Sequence, residues 1–137
     1  MRAFIDTSSL FKKYVDEDGS KALDQLLREI SEIAVSPTAW VEMNAVVARR
    51  VREKSLTSRQ AAWLTSEARK DFESFHRVVW NEALETTAVR LVFHRPLSTL
   101  DAIQLASGVL SKADVFVTSD HGLFEEARKE VRKAICV

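Results

Sequence analysis

The sequence predicts an α/β fold, a single domain with a central, mostly parallel sheet of about four to five strands and helices on both faces. Short β-branched or aromatic runs alternate along the chain with longer segments of helical periodicity, which is typical of this class. The segment Thr99–Leu110 is apolar almost all round, as expected of a helix buried against a sheet, and it leads into a strand-like run that begins at Val115. A length of 137 residues suits one domain.

The order of elements follows from these patterns and from the residues that begin helices. Ser36-Pro37 is a strong helix start, Thr57 to Gln60 has the form of a capping box, and Asn81 is a further N-cap candidate. Strands are expected at about 3–5, 33–35, 77–80, 115–119 and 134–137, and helices at about 7–15, 22–30, 36–54, 58–75, 81–93, 99–110 and 121–132.

The composition of the chain limits the kinds of molecule that it is expected to bind and the compartment in which it is expected to occur. The formal net charge is zero, so the chain carries no global field that would attract nucleic acid or membrane, and electrostatic recognition must be local. No apolar stretch approaches the roughly 18 residues of a membrane span, and Asp6 comes too early for a signal peptide. The single cysteine, Cys136, is expected to be a small buried apolar residue. We therefore expect a cytoplasmic protein without membrane association.

Four acidic residues are expected at one edge of the sheet. Asp6 follows the first strand, and Asp120 follows the strand that begins at Val115. Asp101 lies in the first turn of the helix that precedes that strand, and such a helix starts at the edge where the strand ends. Glu42 lies in the second turn of the helix that begins after the second strand. This edge is where open α/β sheets bind ligands.

Each acid alone also has a structural explanation. Asp6 and Asp120 suit turns or caps, and Asp101 suits a capping box with Ser98 and the positive end of a helix. Glu42 is harder to explain in this way, because its neighbours on the helix include no cation and a buried acid without a partner is costly. The separate explanations do not account for four acids at one edge, so a functional site is favoured.

Four carboxylates at close range repel one another, and divalent cations relieve that repulsion. Ligation by oxygen alone, without thiol or imidazole, indicates a hard ion such as Mg²⁺ or Mn²⁺. The three histidines are scattered and lack the spacing of a zinc site. The pattern therefore predicts phosphodiester hydrolysis by a metal-activated water.

Four segments resemble the PIN domain, and in particular the VapC-type ribonuclease toxins of prokaryotic toxin–antitoxin pairs. They are Phe4–Ser8, Glu42 after Ser36-Pro37, Thr99–Ala106 and Phe116–Asp120. The resemblance runs in order over essentially the whole chain, and it implies one PIN-like domain over residues 1–137.

The resemblance also implies roles for individual residues and for partners. The catalytic, metal-coordinating acids would be Asp6, Glu42, Asp101 and Asp120, with Ser8 and Thr118 as supporting hydroxyls. The implied activity is that of a Mg²⁺- or Mn²⁺-dependent endoribonuclease that leaves a 5′-phosphate. The implied partners are an RNA substrate, a second copy of the chain, and a VapB-type antitoxin whose tail occupies the acidic pocket.

Basic residues supply candidate contacts to RNA or to a partner. Lys12 and Lys13 follow Asp6 within two helical turns, and a basic patch surrounds the helical hairpin at 36–75. The patch suits an RNA backbone or an acidic partner segment, although a solvated helix face is an equally simple reading. The hairpin is a candidate dimer or antitoxin surface, and Trp63 lies off its inward stripe. The basic patch consists of Arg49, Arg50, Arg52, Lys54 and Arg59.

Two other functions fit the sequence less well than a nuclease does. Phosphoryl transfer onto Asp6 would call for a second acid close by in sequence, and Thr7-Ser8-Ser9 supplies none. The main alternative is a catalytically silent PIN-like domain that only binds partners. RNA rather than DNA as substrate rests on the resemblance, because cleavage by a metal-activated water does not require the 2′-hydroxyl.

Overall fold

The computed structural model describes residues 1–137 and shows a five-stranded parallel sheet with strand order β3-β2-β1-β4-β5. The α/β architecture expected from the sequence is confirmed. The strands are β1 (Arg2–Ile5), β2 (Glu32–Val35), β3 (His76–Arg77), β4 (Val115–Thr118) and β5 (Ala134–Cys136). The helices are α1 (Thr7–Phe11), α2 (Ser20–Leu27), α3 (Ala39–Arg52), α4 (Ser58–Phe72), α5 (Glu82–His94), α6 (Thr99–Leu110) and α7 (His121–Ala127).

Strand β1 lies at the centre of the sheet and aligns the ends of its neighbours. Phe4 is in register with Ala34 of β2 on one side and with Phe116 of β4 on the other. All three strands are parallel, so their carboxyl ends meet at one edge. We call this edge, where Asp6 and Asp120 follow β1 and β4, the acidic edge.

The two faces of the sheet carry separate hydrophobic cores. Ala3 and Ile5 pack into a core formed with α1 to α4, while Phe4 between them packs into a core formed with α5 to α7. This division follows from the alternation of side chains along a strand. Buried residues fill both faces, so the sheet is covered on both sides as predicted.

Helix α6 approaches the sheet closely because of Gly108. The rings of Phe4 and Phe116 stack with their centroids 5.2 Å apart beneath the helix. A Cβ atom at position 108 would lie 2.4 Å from Cδ2 of Phe116, so only glycine fits there. Residues 102–108 of α6 are all buried, which agrees with the apolar pattern of this segment.

Three predicted elements are shorter than the sequence pattern indicates. Helix α1 ends at Phe11 rather than near Val15, because tighter i→i−3 bonds follow and the Ser20 hydroxyl donates to the carbonyls of Lys12 and Val15. Helix α7 ends at Ala127 rather than near residue 132. Strand β3 is limited to 76–77, since the apolar residues that follow at 79–80 are exposed on an edge.

Helix α3 begins at Ala39, not at Ser36 as predicted. Ser36 is fully buried and shares a hydrogen bond with the hydroxyl of Thr38, so its side chain is directed to other partners than the helix end. The helix ends at Arg52, and Lys54 has a φ of 60°. Glu42 consequently lies in the first turn of α3 rather than in the second.

The remaining predictions concern Cys136, the membrane and two helix caps. Cys136 is partly exposed rather than buried, because β5 is an edge strand, and its Sγ lies 3.6 Å from Nδ1 of His121. None of the helices combines the length and apolar character that crossing a membrane requires. The predicted caps at Thr57 and Asn81 are both present.

Candidate active site

Asp6 is a buried carboxylate at the end of β1, with 4% of its surface exposed. Oδ2 accepts a hydrogen bond from the Thr118 hydroxyl at 2.6 Å, and Oδ1 accepts one from the backbone N–H of Ser9 at 2.9 Å. The Ser8 hydroxyl lies 3.0 Å from each oxygen. Burial raises the pKa of Asp6, and these hydrogen bonds oppose the rise. The carboxylate is well held, but by neutral donors only.

Glu42 reaches the same region from the first turn of α3. Its Oε1 accepts hydrogen bonds from the Thr38 hydroxyl and from Nε2 of Gln104 on α6, the latter at 2.9 Å. Burial raises the pKa of Glu42, the negative charge of Asp6 raises it further, and the hydrogen bonds lower it. Glu42 is therefore a second half-buried acid that neutral groups hold in place.

Asp101 and Asp120 are the other two predicted acids. Asp101 lies in the first turn of α6, where its backbone N–H donates to the Ser98 hydroxyl at 3.2 Å. Asp120 caps α7, its Oδ1 accepting from the N–H of Leu123 at 2.8 Å. Burial raises the pKa of Asp101, and so does the charge of Asp120. Both residues thus take part in helix caps, as the sequence allowed, and the pKa of Asp101 shows that the two charges also interact.

Besides burial, the negative charge of Asp6 raises the pKa of Glu42, and that of Asp120 raises the pKa of Asp101, so each of these acids is close enough to its neighbour to interact. No group of three acidic, histidine or cysteine side chains is arranged to hold a metal ion. The four acids predicted from the sequence thus follow elements that end or begin at the acidic edge, but no three of them are placed as a preformed metal cage. Repulsion between carboxylates opposes a closer approach until a cation binds.

None of the four acids takes part in an ion pair, although ten ion pairs occur elsewhere in the structure. A buried carboxylate without a cation is costly unless another positive charge compensates it. The groups at the edge are carboxylate, hydroxyl and amide oxygens, which are the ligands that Mg²⁺ and Mn²⁺ prefer. The residues present therefore fit a hard divalent ion.

The two predicted supporting hydroxyls, of Ser8 and Thr118, both contact Asp6. Thr38 and Gln104 also belong to the site, and the sequence patterns did not identify them. Thr38 stands four residues before Glu42, the helical spacing of a contact, and Gln104 is the one long polar side chain inside an otherwise apolar helix segment. These two features of the sequence are the signals that could have found them.

Lys12 and Lys13, predicted as possible RNA contacts, are engaged within the chain. Nζ of Lys12 donates to the backbone carbonyl of Asp18, and Nζ of Lys13 lies 2.5 Å from a carboxylate oxygen of Asp71. Each ammonium group has three N–H donors, so both could contact a phosphate while they keep these partners.

The three arginines predicted as RNA or partner contacts differ in availability. Arg50 pairs with Glu17 at 2.9 Å and lies over the ring of Phe11. The side chain of Arg49 is 57% exposed and lies 4.0 Å from Glu53, and Arg52 is exposed. Arg49 and Arg52 are therefore the members of this set that a partner from solution can reach.

Comparisons with known proteins agree with this architecture. The family model of the PIN domain matches residues 3–130. No curated protein matches the chain.

Three similar solved structures share the fold at low sequence identity. A toxin–antitoxin complex from Klebsiella pneumoniae is 20% identical with a TM-score of 0.65, and the match covers 89% of each chain. FitAcB from Neisseria gonorrhoeae is 13% identical with a TM-score of 0.71, over 97% of this chain and 96% of that one. VapBC2 from Rickettsia felis, bound to a DNA fragment from its promoter, is 14% identical with a TM-score of 0.66, over 92% of each chain. By the family match over nearly its whole length, the chain belongs to the PIN domain family.

Proposed function

We propose that this PIN-domain protein is a Mg²⁺- or Mn²⁺-dependent endoribonuclease, the toxin of a VapC-type toxin–antitoxin pair. The observation that carries the proposal is Asp6, a carboxylate held by Thr118, Ser8 and the N–H of Ser9 but left without a cation. The chain orients this charge without neutralising it, which is the arrangement that a metal ligand needs. The family match and the toxin–antitoxin structures of the same fold support the class of activity.

The four acids Asp6, Glu42, Asp101 and Asp120 share one task in this proposal, which is to bind the divalent ion. Their carboxylate oxygens would hold the ion. A bound ion supplies charge stabilisation at the phosphoryl oxygen and a lower pKa for the attacking water. The chain's own contribution is orientation, in which Thr118 and Ser8 fix Asp6 and the helix caps at Ser98 and Asp120 fix the starts of α6 and α7.

The direct test is cleavage of a structured RNA by the purified protein. We expect cleavage with Mg²⁺ or Mn²⁺ and none with a chelator, and Asp101→Asn should abolish it. Asp24→Asn is the matched control, because Asp24 is an exposed acid on α2. Cleavage that survives both chelation and Asp101→Asn would contradict the proposal. A parallel assay on DNA of the same sequence decides whether RNA is the preferred substrate.

The alternative, a catalytically silent partner-binding domain, makes a different prediction for metal binding. Titration calorimetry with Mn²⁺ should give a binding isotherm for a nuclease and none for a domain that serves only as a scaffold. The lack of a cation around Asp6 favours the nuclease. Absence of Mn²⁺ binding would favour the scaffold.

The proposed partners are a VapB-type antitoxin, a second copy of this chain and an RNA substrate, and the proposed location is the cytoplasm. The structures of similar fold include toxin–antitoxin complexes. On this chain Trp63 is 58% exposed and lies beside Tyr14, Val15 and Leu56. The hairpin at 36–75 is the proposed antitoxin or dimer surface. Trp63→Glu should then change antitoxin binding or the size-exclusion volume, whereas no change in either would count against this surface.

A further inference from the structure

Gln104 is a buried polar side chain that joins four segments of the candidate site. It lies on α6 one turn after Asp101 and is 3% exposed. Its Nε2 lies 2.9 Å from Oε1 of Glu42, 3.2 Å from the hydroxyl of Ser36 and 3.3 Å from that of Thr7. One amide nitrogen therefore contacts the end of β2, the start of α1 and the first turn of α3.

The orientation of this amide is set by Glu42. A carboxylate only accepts hydrogen bonds, whereas the hydroxyls of Ser36 and Thr7 can either donate or accept. With Nε2 toward Glu42, the carbonyl oxygen Oε1 of Gln104 is buried without a hydrogen-bond partner. The opposite orientation would give that oxygen two hydroxyl donors but would set it against the carboxylate. The fold thus leaves one buried acceptor unsatisfied in order to keep an N–H donor on Glu42.

Two of the hydrogen bonds to Glu42 converge on one of its oxygens, and the Thr7 hydroxyl is a further neighbour of this carboxylate. Gln104 and Thr38 both donate to Oε1, so Oε2 receives neither of these bonds. Both donors are neutral, so neither of them offsets the negative charge of the carboxylate. A lysine or arginine at position 104 would instead compete with an incoming cation.

We infer that Gln104 is a positioning residue for the divalent ion, acting through Glu42. Its Nε2–H···Oε1 hydrogen bond fixes the carboxylate of α3 relative to α6, the helix that carries Asp101, and leaves Oε2 of Glu42 for the ion. This inference rests on the proposed function, because it assigns Gln104 to the proposed metal site.

The test is a double-mutant cycle with Mn²⁺ affinity as its readout. Gln104→Met keeps an unbranched side chain of similar length but removes the donor. We expect it to weaken Mn²⁺ binding by about 10- to 100-fold in titration calorimetry, the range typical of a lost group that orients a metal ligand. Glu42→Gln should weaken binding at least as much. The double variant should be no more than about 2-fold weaker than Glu42→Gln alone, since a residue that acts through another shows no independent effect.

Two further measurements separate positioning from a general loss of structure. Saturating Mn²⁺ should restore RNA cleavage by Gln104→Met to near the wild-type rate, with the KM for RNA unchanged. Ser107→Ala is the matched control, because Ser107 is buried on the same helix but its hydroxyl donates only to the carbonyl of Ile103. This variant should bind Mn²⁺ as the wild type does.

The outcomes are distinguishable. If the wild type binds Mn²⁺ and Gln104→Met binds it equally well, the inference about Gln104 is wrong and the proposed function stands. If the losses multiply in the double variant, Gln104 does not act through Glu42 and the inference is also wrong. If the wild type binds no Mn²⁺, the proposed function fails and this inference fails with it.

Discussion

Two groups of buried or half-buried acids in this molecule have opposite surroundings. Glu126 and Glu130, at the end of α7 and just after it, lie against Arg95 at 3.7 and 3.0 Å, and Arg90 lies 3.1 Å from Glu130. The hydrogen bond from Arg90 is the main cause of a lowered pKa for Glu130. At the acidic edge no such partner exists, and burial raises the pKa of Asp6.

The difference shows how the chain distinguishes structural acids from available ones. Glu126 is buried to a similar degree as Asp6, so exposure alone does not separate the two groups. What separates them is the source of positive charge. The carboxylates near α7 pair with cations of the chain itself, the guanidinium groups of Arg90 and Arg95 and the ammonium group of Lys129. Those at the acidic edge have only neutral donors, so they remain open to a cation from solution.

The largest expected effect comes from removing the charge of Asp6. Asp6→Asn should lower RNA cleavage by at least about 10²- to 10³-fold, the cost typical of removing one electrostatic group from a reaction site. Asparagine is also a good N-cap, so α1 should be retained. The measurement is the initial rate of cleavage at saturating Mg²⁺. A cleavage rate within a few fold of the wild-type rate would show that Asp6 is not part of the catalytic site.

Metal addition should stabilise the wild type by mass action. At a Mn²⁺ concentration about 100 times its Kd, the free energy of unfolding should rise by about 2.7 kcal/mol. The same addition should leave Asp6→Asn nearly unchanged, since it lacks one ligand. Urea unfolding with and without Mn²⁺ measures both. An equal gain in the two proteins would indicate binding elsewhere.

Removing the charge of Glu130, which pairs with Arg90 and Arg95, should lower the stability of the fold and leave metal binding unchanged. Glu130→Gln removes the partner of Arg90 and Arg95, and we expect a loss of about 1–2 kcal/mol in the free energy of unfolding. Mn²⁺ affinity should not change. Urea unfolding and calorimetry on the same preparation measure both quantities. If this variant lost Mn²⁺ binding, the two groups of acids would not be independent.

The smallest expected effect is the pH dependence of metal-free stability at Asp101. Its folded pKa is raised, so the folded protein binds the proton more tightly than the unfolded chain does. The stability contributed by this group is therefore present at low pH and is lost as pH rises through the raised pKa. Asp101→Asn should be more stable than the wild type at neutral pH by less than about 1 kcal/mol, because the group is half exposed. The difference should vanish below the ordinary aspartate pKa of about 4.

Thermal unfolding in chelator at several pH values checks the Asp101 prediction. Wild type and variant that unfold alike at every pH would show that neither burial nor repulsion from Asp120 raises the pKa of Asp101.

Much of the fold could be predicted because periodicity reports burial directly. The apolar run of α6 and the strand at 115–118 were correct, and parallel topology alone places Asp6 and Asp120 at one edge. The start of α3 was wrong, because Ser36-Pro37 resembles a helix cap while the Ser36 hydroxyl bonds to Thr38 and Gln104 instead. Such competition between local and long-range partners is not visible in local sequence.

The acidic residues of the candidate site could be predicted from the sequence, but the hydrogen bonds that hold them could not. The four acids stand at element ends, where topology determines their position. The contact of Gln104 with Glu42 joins residues 62 positions apart and depends on how α3 and α6 sit at the end of β2. The distances between the four carboxylates likewise depend on side-chain packing and repulsion, which spacing along the chain does not encode.

The bond between Thr118 and Asp6 has a consequence for synthesis. It joins residues 112 positions apart, and β1 pairs with β4 along the same edge. During synthesis this contact and the pairing of β1 with β4 cannot form until residues 115–118 have left the ribosome. Asp6 therefore lacks the Thr118 hydroxyl that orients it in any shorter chain, and the candidate site is completed only late in synthesis.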